Sequence, residues 1–141
     1  MATRKGALKK LAESLAAAAF EGREAPGEVT VTLTDNAGMP GYKERCFGVR
    51  VQTDVVSQMY EGIPGVVGAT GEMVVNAERA REEGAKREGG TARELALYVA
   101  HGFDHLAGAD DDTPARRRAM RRRETRWLAE REGLWRGMVE E

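Results

Sequence analysis

The chain contains only two histidines, His101 and His105, and they stand four residues apart. On an α-helix this spacing separates two side chains by about 40° around the axis, so both imidazoles can reach one point. Helical H-x-x-x-H pairs supply two nitrogen ligands to zinc without requiring a loop to order. The alternative is a hydrogen-bonded pair without metal. We favour a metal site because Gly102 leaves one side of the helix open and an acidic turn follows.

That turn, residues 108–112, offers a third ligand in the sequence Gly-Ala-Asp-Asp-Asp. Two nitrogens and one carboxylate oxygen leave the fourth position of a zinc ion open to water, which is typical of a catalytic site. Structural zinc sites are normally closed with cysteines, and the chain has a single, remote cysteine, Cys46. The residues therefore favour a catalytic site, and any of the three carboxylates can complete it.

Asp104 flanks the same face of the helix, at about −60° from His101. One interpretation is that it accepts a hydrogen bond or transfers a proton near the metal. The other is an exposed aspartate on the flank of the helix, and we favour this second interpretation. The predicted metal site does not depend on Asp104.

The helix that carries the histidines is predicted to run from Thr91, as its N-cap, to about Ala107, with Gly108 as a left-handed stop. Apolar residues recur along it at helical spacing, which predicts a core helix. These residues are Leu95, Tyr98, Val99 and Phe103.

Further helices and short strands are predicted around this helix. The helices cover about 8–21, 77–88 and 114–131, the last two with Asn76 and Thr113 as N-caps, and the strands cover 28–34, 55–59 and 72–75. Segment 35–45 is either a loop or a broken helix, and segment 62–71 is a loop. This order predicts an α+β (mixed α/β) fold, in which a small sheet of three to four strands packs with about four to five helices and a core helix carries the metal site.

The composition predicts one soluble domain spanning residues 1–141. Hydrophobic residues make up 41% and charged residues 32% of the chain, which excludes a disordered composition. No apolar stretch reaches the roughly 20 residues of a membrane span. A lone cysteine without a signal-peptide pattern predicts a cytoplasmic location. Because the net charge is −1, nucleic-acid binding would need a local basic patch.

The predicted last helix concentrates such charge. Its arginines are Arg116, Arg117, Arg118, Arg121, Arg122, Arg123 and Arg126. They either track phosphates or form a solvated face that pairs with Glu124, Glu130 and the acidic turn, and the sequence favours neither interpretation. Met120, Trp127 and Leu128 are predicted to face the core.

Residues 101–111, HGFDHLAGADD, resemble the signature of the YbeY family of zinc-dependent endoribonucleases and rRNA maturation factors. The family pattern reads H-G-x-x-H-L-x-G followed by a third metal ligand. That ligand falls at Asp111, where most members have histidine and some branches have aspartate. The resemblance implies one Zn²⁺ ion held by His101, His105 and Asp111.

Three further segments match the family in order and spacing. Residues 53–57 resemble its T-D-V-L-S strand, 71–75 its G-[DE]-I-x-I strand and 93–96 its R-E-L-A helix opening, so the match covers about residues 28–131. The resemblance implies a single-strand-specific, metal-dependent endoribonuclease, a hydrolase acting in rRNA maturation and ribosome quality control. Precursor rRNA and the small ribosomal subunit would be its partners.

The chain departs from the family at a position important for cleavage. The arginine that many members use falls here at Phe47, with Arg45 and Arg50 nearby, and the hypothesis is that Arg45 or Arg50 contacts phosphate. The N-terminal strand of the family is not evident either. Two alternatives follow: a catalytically impaired, ribosome-associated RNA-binding factor, and a zinc hydrolase of peptides or small molecules, which the absence of H-E-x-x-H disfavours.

Overall fold

The computed structural model describes residues 2–62, 64–65 and 68–140. Residues 63, 66 and 67 of the predicted loop and both ends of the predicted domain 1–141 lie outside this description. The helices are α1 (Lys5–Ala19), α2 (Met39–Phe47), α3 (Ala77–Gly84), α4 (Gly90–Leu106), α5 (Pro114–Glu130) and α6 (Glu132–Trp135). The strands are β1 (Ala2–Thr3), β2 (Glu28–Thr34), β3 (Val55–Tyr60), β4 (Thr70–Asn76) and β5 (Val139–Glu140). The predicted α+β class is confirmed.

Two sheets form among the described residues. The main sheet has the order β2-β4-β3, with β2 parallel and β3 antiparallel to the central strand β4. All three of its strands were predicted. The short strands β1 and β5 pair with each other in a separate antiparallel sheet, so the N-terminal residues add no strand to the main sheet. No helix in the described parts of the chain is long and apolar enough to cross a membrane.

Helix α4 packs against the sheet and provides much of the core. Leu95 and Val99 of α4 and Met73 of β4 are fully buried in one apolar cluster, and burying a side chain of this size contributes about 1.5–3 kcal/mol. Gly102 permits the close packing, because a Cβ there would lie 2.6 Å from Sδ of Met73. The open side of the helix at Gly102 therefore accommodates the sheet.

The ends of the helices show which predicted caps hold. Asn76 accepts a hydrogen bond from the Arg79 amide at 3.0 Å, and Thr113 accepts one from the Arg116 amide at 3.1 Å, so both predicted N-caps are confirmed. Gly108, with φ of +101°, follows the end of α4 as predicted.

The N-cap predicted at Thr91 is wrong. Helix α4 begins one residue earlier, at Gly90, and Thr91 is buried in its first turn. The physical reason is the tight contact between α3 and α4, where a Cβ on Gly84 would lie 2.7 Å from the Gly90 carbonyl. The same contact accompanies the end of α3 at Gly84, four residues before the predicted end at 88.

Segment 35–45 contains the start of a helix. Helix α2 begins at Met39, with Pro40 in its first turn, where a missing N–H costs nothing. Gly48, with φ of +74°, ends it. The broken-helix interpretation of this segment is therefore correct, and the helix is longer than the single turn that the sequence suggested.

Candidate metal centre

The last two turns of α4 and the acidic turn bring three side chains together. Nε2 of His101 and Nε2 of His105 lie 3.0 Å apart. Oδ2 of Asp111 lies 3.8 Å from the first of these nitrogens and 3.5 Å from the second. These are the three residues that the sequence and the family pattern pointed to, and they form a cluster that can hold a metal ion.

The spacing of these atoms fits a small divalent ion. Ligands at the usual zinc distances of about 2.0–2.1 Å in a tetrahedron lie about 3.3 Å from one another. The observed separations, 3.0 to 3.8 Å, bracket that value. All three side chains are partly exposed, between 27% and 42%, so an open ligand position would face solvent and substrate.

Hydrogen bonds behind the two imidazoles fix which nitrogen faces the centre. Nδ1 of His101 lies 3.0 Å from a carboxylate oxygen of Glu124, and Nδ1 of His105 lies 3.0 Å from the Ala109 carbonyl oxygen. Because a carbonyl and an ionised carboxylate only accept hydrogen bonds, each Nδ1 carries the proton and each Nε2 presents a lone pair. Two lone pairs and the Asp111 carboxylate thus converge with no donor among them, an arrangement that a cation stabilises.

The Glu124 carboxylate is buried beside His101. Burial raises the pKa of Glu124 to about 7; Asp104 adds to this rise, and His101 opposes it. Burial lowers the pKa of His101, but the hydrogen bond and charge of Glu124 outweigh it, with help from Asp54 and Asp111, so the net shift is upward. Without a metal, this pair therefore shares a proton near neutral pH.

Glu124 is the residue of the centre that the sequence analysis missed, since it was assigned to a solvated face. A signal was present in the helical spacing. Glu124 follows Met120 by four residues and precedes Leu128 by four, and both neighbours are core residues. An acidic residue within an inward stripe indicates a buried partner, which here is His101.

The expectation of an exposed Asp104 is wrong. Asp104 is 3% exposed, and its two oxygens accept hydrogen bonds from Nε and Nη2 of Arg123 at 2.9 and 3.0 Å. The reason is that α5 packs along this flank of α4 and covers it. Asp104 lies close enough to Glu124 to raise the pKa of that residue.

The arginines of α5 divide between the two interpretations. Arg123 pairs with Asp104, Arg116 pairs with Asp112 at 2.8 Å, and Arg117 donates to the Asp111 carbonyl at 3.2 Å. These contacts hold the acidic turn against the start of α5. The three arginines therefore organise the metal centre, and Met120, Trp127 and Leu128 face the core as predicted.

The two arginines hypothesised to bind phosphate lie on another face. Arg45 is on α2, where it pairs with Glu72 of β4 at 2.6 Å, and Arg50 follows the helix, 4.0 Å from Glu44. Their side chains are 59% and 61% exposed. Phe47, which stands at the position of the family arginine, is 49% exposed.

Comparison with known proteins supports the family resemblance. The family described as Endoribonuclease YbeY matches residues 2–132. Proteins named Endoribonuclease YbeY from Rhodopirellula baltica and Moorella thermoacetica are 38% and 34% identical to this chain over 113 and 123 residues. The protein of that name from Bacillus subtilis is 33% identical over 106 residues.

The alignments cover most of this chain: 79%, 81% and 69% of it, in the same order. They cover 57% of the Rhodopirellula protein, 79% of the Moorella protein and 68% of the Bacillus protein. An endoribonuclease cleaves phosphodiester bonds within RNA, so the predicted enzyme class, a hydrolase acting on RNA, agrees with the name of the family. With its histidine pair, acidic turn and sheet in the family's order, the chain belongs to the YbeY endoribonuclease family.

Proposed function

We propose that this chain hydrolyses phosphodiester bonds in single-stranded RNA with one Zn²⁺ ion held by His101, His105 and Asp111. The observation that carries the proposal is the convergence of two Nε2 lone pairs and a carboxylate oxygen, each backed by the protein. Two imidazole nitrogens and one carboxylate oxygen are the donor set of catalytic zinc. Family membership supplies the substrate class.

When bound, the ion supplies a Lewis acid that activates water and stabilises charge on the phosphoryl oxygens. The residues of the chain hold that ion in place. Glu124 orients the ring of His101, and the Ala109 carbonyl orients the ring of His105. Arg117 secures the backbone of the turn that presents Asp111.

The biological role that we propose is rRNA maturation and ribosome quality control in the cytoplasm, with precursor rRNA and the small ribosomal subunit as partners. Family membership supports this role. Arg45 and Arg50 stay predicted phosphate contacts, supported by their exposure. A second candidate function, a catalytically impaired RNA-binding factor, is favoured by the exposed Phe47 at the place of the family arginine.

The test combines metal content and cleavage in matched variants. H105A and D111N are expected to lose stoichiometric zinc by elemental analysis and to stop cutting a single-stranded rRNA fragment. D110N is the control, because Asp110 stands next to Asp111 but lies outside the cluster; it is expected to keep both properties. Full zinc content in H105A would refute the site, and zinc-loaded wild-type protein that binds but never cuts RNA would support the impaired factor.

A further inference from the structure

A polar cavity of about 250 Å³ adjoins the metal centre. It lies along α4 between α3 and α5, and His101 and Glu124 form the end nearest the metal ligands. Pockets that enclose a small molecule usually measure about 300–1,000 Å³. This cavity is smaller, which suits one portion of a longer chain, such as a phosphate and its sugar.

The carboxylates of the cavity have partners within the protein. The buried Glu94 and its neighbour Glu83 pair with Arg87, at 2.6 and 3.5 Å. Glu124 pairs with His101. These contacts offset most of the negative charge that would otherwise repel an anion.

The remaining carboxylate, Asp54, stands at the start of β3. Its Oδ1 accepts hydrogen bonds from the Val55 amide at 2.8 Å and from the hydroxyl of Thr53 at 3.4 Å. Asp54 is thus held by its own strand, and its acceptor atom is directed to those donors.

Two arginines of the cavity differ from all of these. Arg79 reaches it from α3 and Arg121 reaches it from α5. Within the described residues, no carboxylate oxygen lies within 4.0 Å of either guanidinium. Two guanidinium groups without acidic partners therefore line one small cavity beside a metal centre.

We propose that Arg79 and Arg121 form a phosphate subsite that holds a phosphodiester of the RNA strand next to the bond that is cut. The proposal rests on the proposed function, which supplies the strand and the cut. The planar guanidinium fork matches phosphate oxygens in paired hydrogen bonds. The subsite is also closer to the metal centre than the face of Arg45 and Arg50, because its cavity shares a wall with His101.

The experiment measures RNA binding by the zinc-loaded full chain. A fluorescein-labelled, fully 2′-O-methylated oligouridylate serves as an uncut probe, and fluorescence anisotropy gives Kd at several salt concentrations. The cavity variant is R79Q/R121Q. The matched control is R81Q/R122Q, which removes two exposed arginines from the same helices, outside the cavity.

The cavity variant is expected to bind RNA about tenfold more weakly, as for loss of a charge-assisted hydrogen bond. Each lost contact with a single strand also flattens the dependence of log K on log salt by about 0.7. The control is expected to stay within about twofold of wild type, since exposed arginines away from the strand contribute only long-range attraction. Both variants should keep full zinc content, which verifies folding.

Three results would overturn the subsite: an unchanged Kd in the cavity variant, equal weakening in both variants, or no binding of the probe by wild-type protein. The proposed function fails separately, when wild-type protein binds the probe but zinc-loaded protein does not cut unmodified RNA. In that case the comparison of the two variants still decides whether Arg79 and Arg121 hold phosphate.

Discussion

The metal centre and the face of α2 both gather charged side chains, but they do so in different ways. Around the centre, the carboxylates of Asp104 and Glu124 are each 3% exposed and held by partners on a neighbouring helix. On the α2 face, Arg45 and Arg50 are more than half exposed, and exposed ion pairs contribute at most about 1 kcal/mol. Buried pairs therefore fix the position of the chemistry, and exposed pairs do little to fix geometry.

The largest effect is expected from breaking the buried pair of Asp104 and Arg123. The substitution D104N leaves the Arg123 guanidinium, one-third exposed, without its carboxylate. Loss of one partner of a buried pair costs about 3–5 kcal/mol, and we expect about 3 kcal/mol because water reaches Arg123. Urea unfolding of the metal-free protein measures this change. A loss under 1 kcal/mol would place the pair in the same class as the α2 face.

The next effect concerns metal affinity. E124Q keeps an acceptor for Nδ1 of His101 but removes the charge, and loss of such outer partners lowers metal affinity about 10–100-fold. We expect a value near tenfold because the amide oxygen still accepts. Competition with a chelator measures zinc affinity, and E130Q, on the exposed end of α5, is the control. Equal affinities in the two variants would contradict the role of Glu124.

A smaller effect is expected from the contact of α4 with the sheet. In G102A, the new methyl group would meet the end of the Met73 side chain at 2.6 Å. Overpacking of a core costs about 1–3 kcal/mol, and the flexibility of Met73 favours the lower end. The control G6A adds a methyl group on α1 with nothing within 4 Å. Thermal unfolding compares the two, and a Tm for G102A at or above that of G6A would refute the tight packing.

The smallest effect is expected on the α2 face. E44Q removes the carboxylate 4.0 Å from Arg50, and stability should change by less than about 1 kcal/mol. R45Q and R50Q test the phosphate hypothesis directly. Each is expected to weaken binding of the RNA probe less than R79Q/R121Q does. Anisotropy titrations decide, and a larger effect of R45Q or R50Q would reverse the comparison.

Much of the fold and the three clustered residues could be predicted because they depend on local patterns. The alternation in residues 28–34, the caps at Asn76 and Thr113, and the helical spacing of the histidines all act within a few residues. The family pattern then selected Asp111 from the three aspartates.

The missed features depend on contacts between helices. Asp104 looked exposed because its burial is caused by α5, and Glu124 looked solvated because its partner lies 23 residues away. The start of α4 at Gly90 likewise depends on the approach of α3. Spacing along one helix carries little information about which neighbouring helix covers it.

The metal cluster draws ligands from the end of α4 and from the turn, and its outer partner Glu124 from α5. An ion bound there ties three consecutive segments together, so it also acts as a folding ligand. At free zinc about a hundredfold above its Kd, linkage adds about 2.7 kcal/mol to the stability of the native state. Amide hydrogen exchange should slow most between His101 and Glu124 when zinc is added, so cellular zinc supply would set the lifetime of this protein as well as its activity.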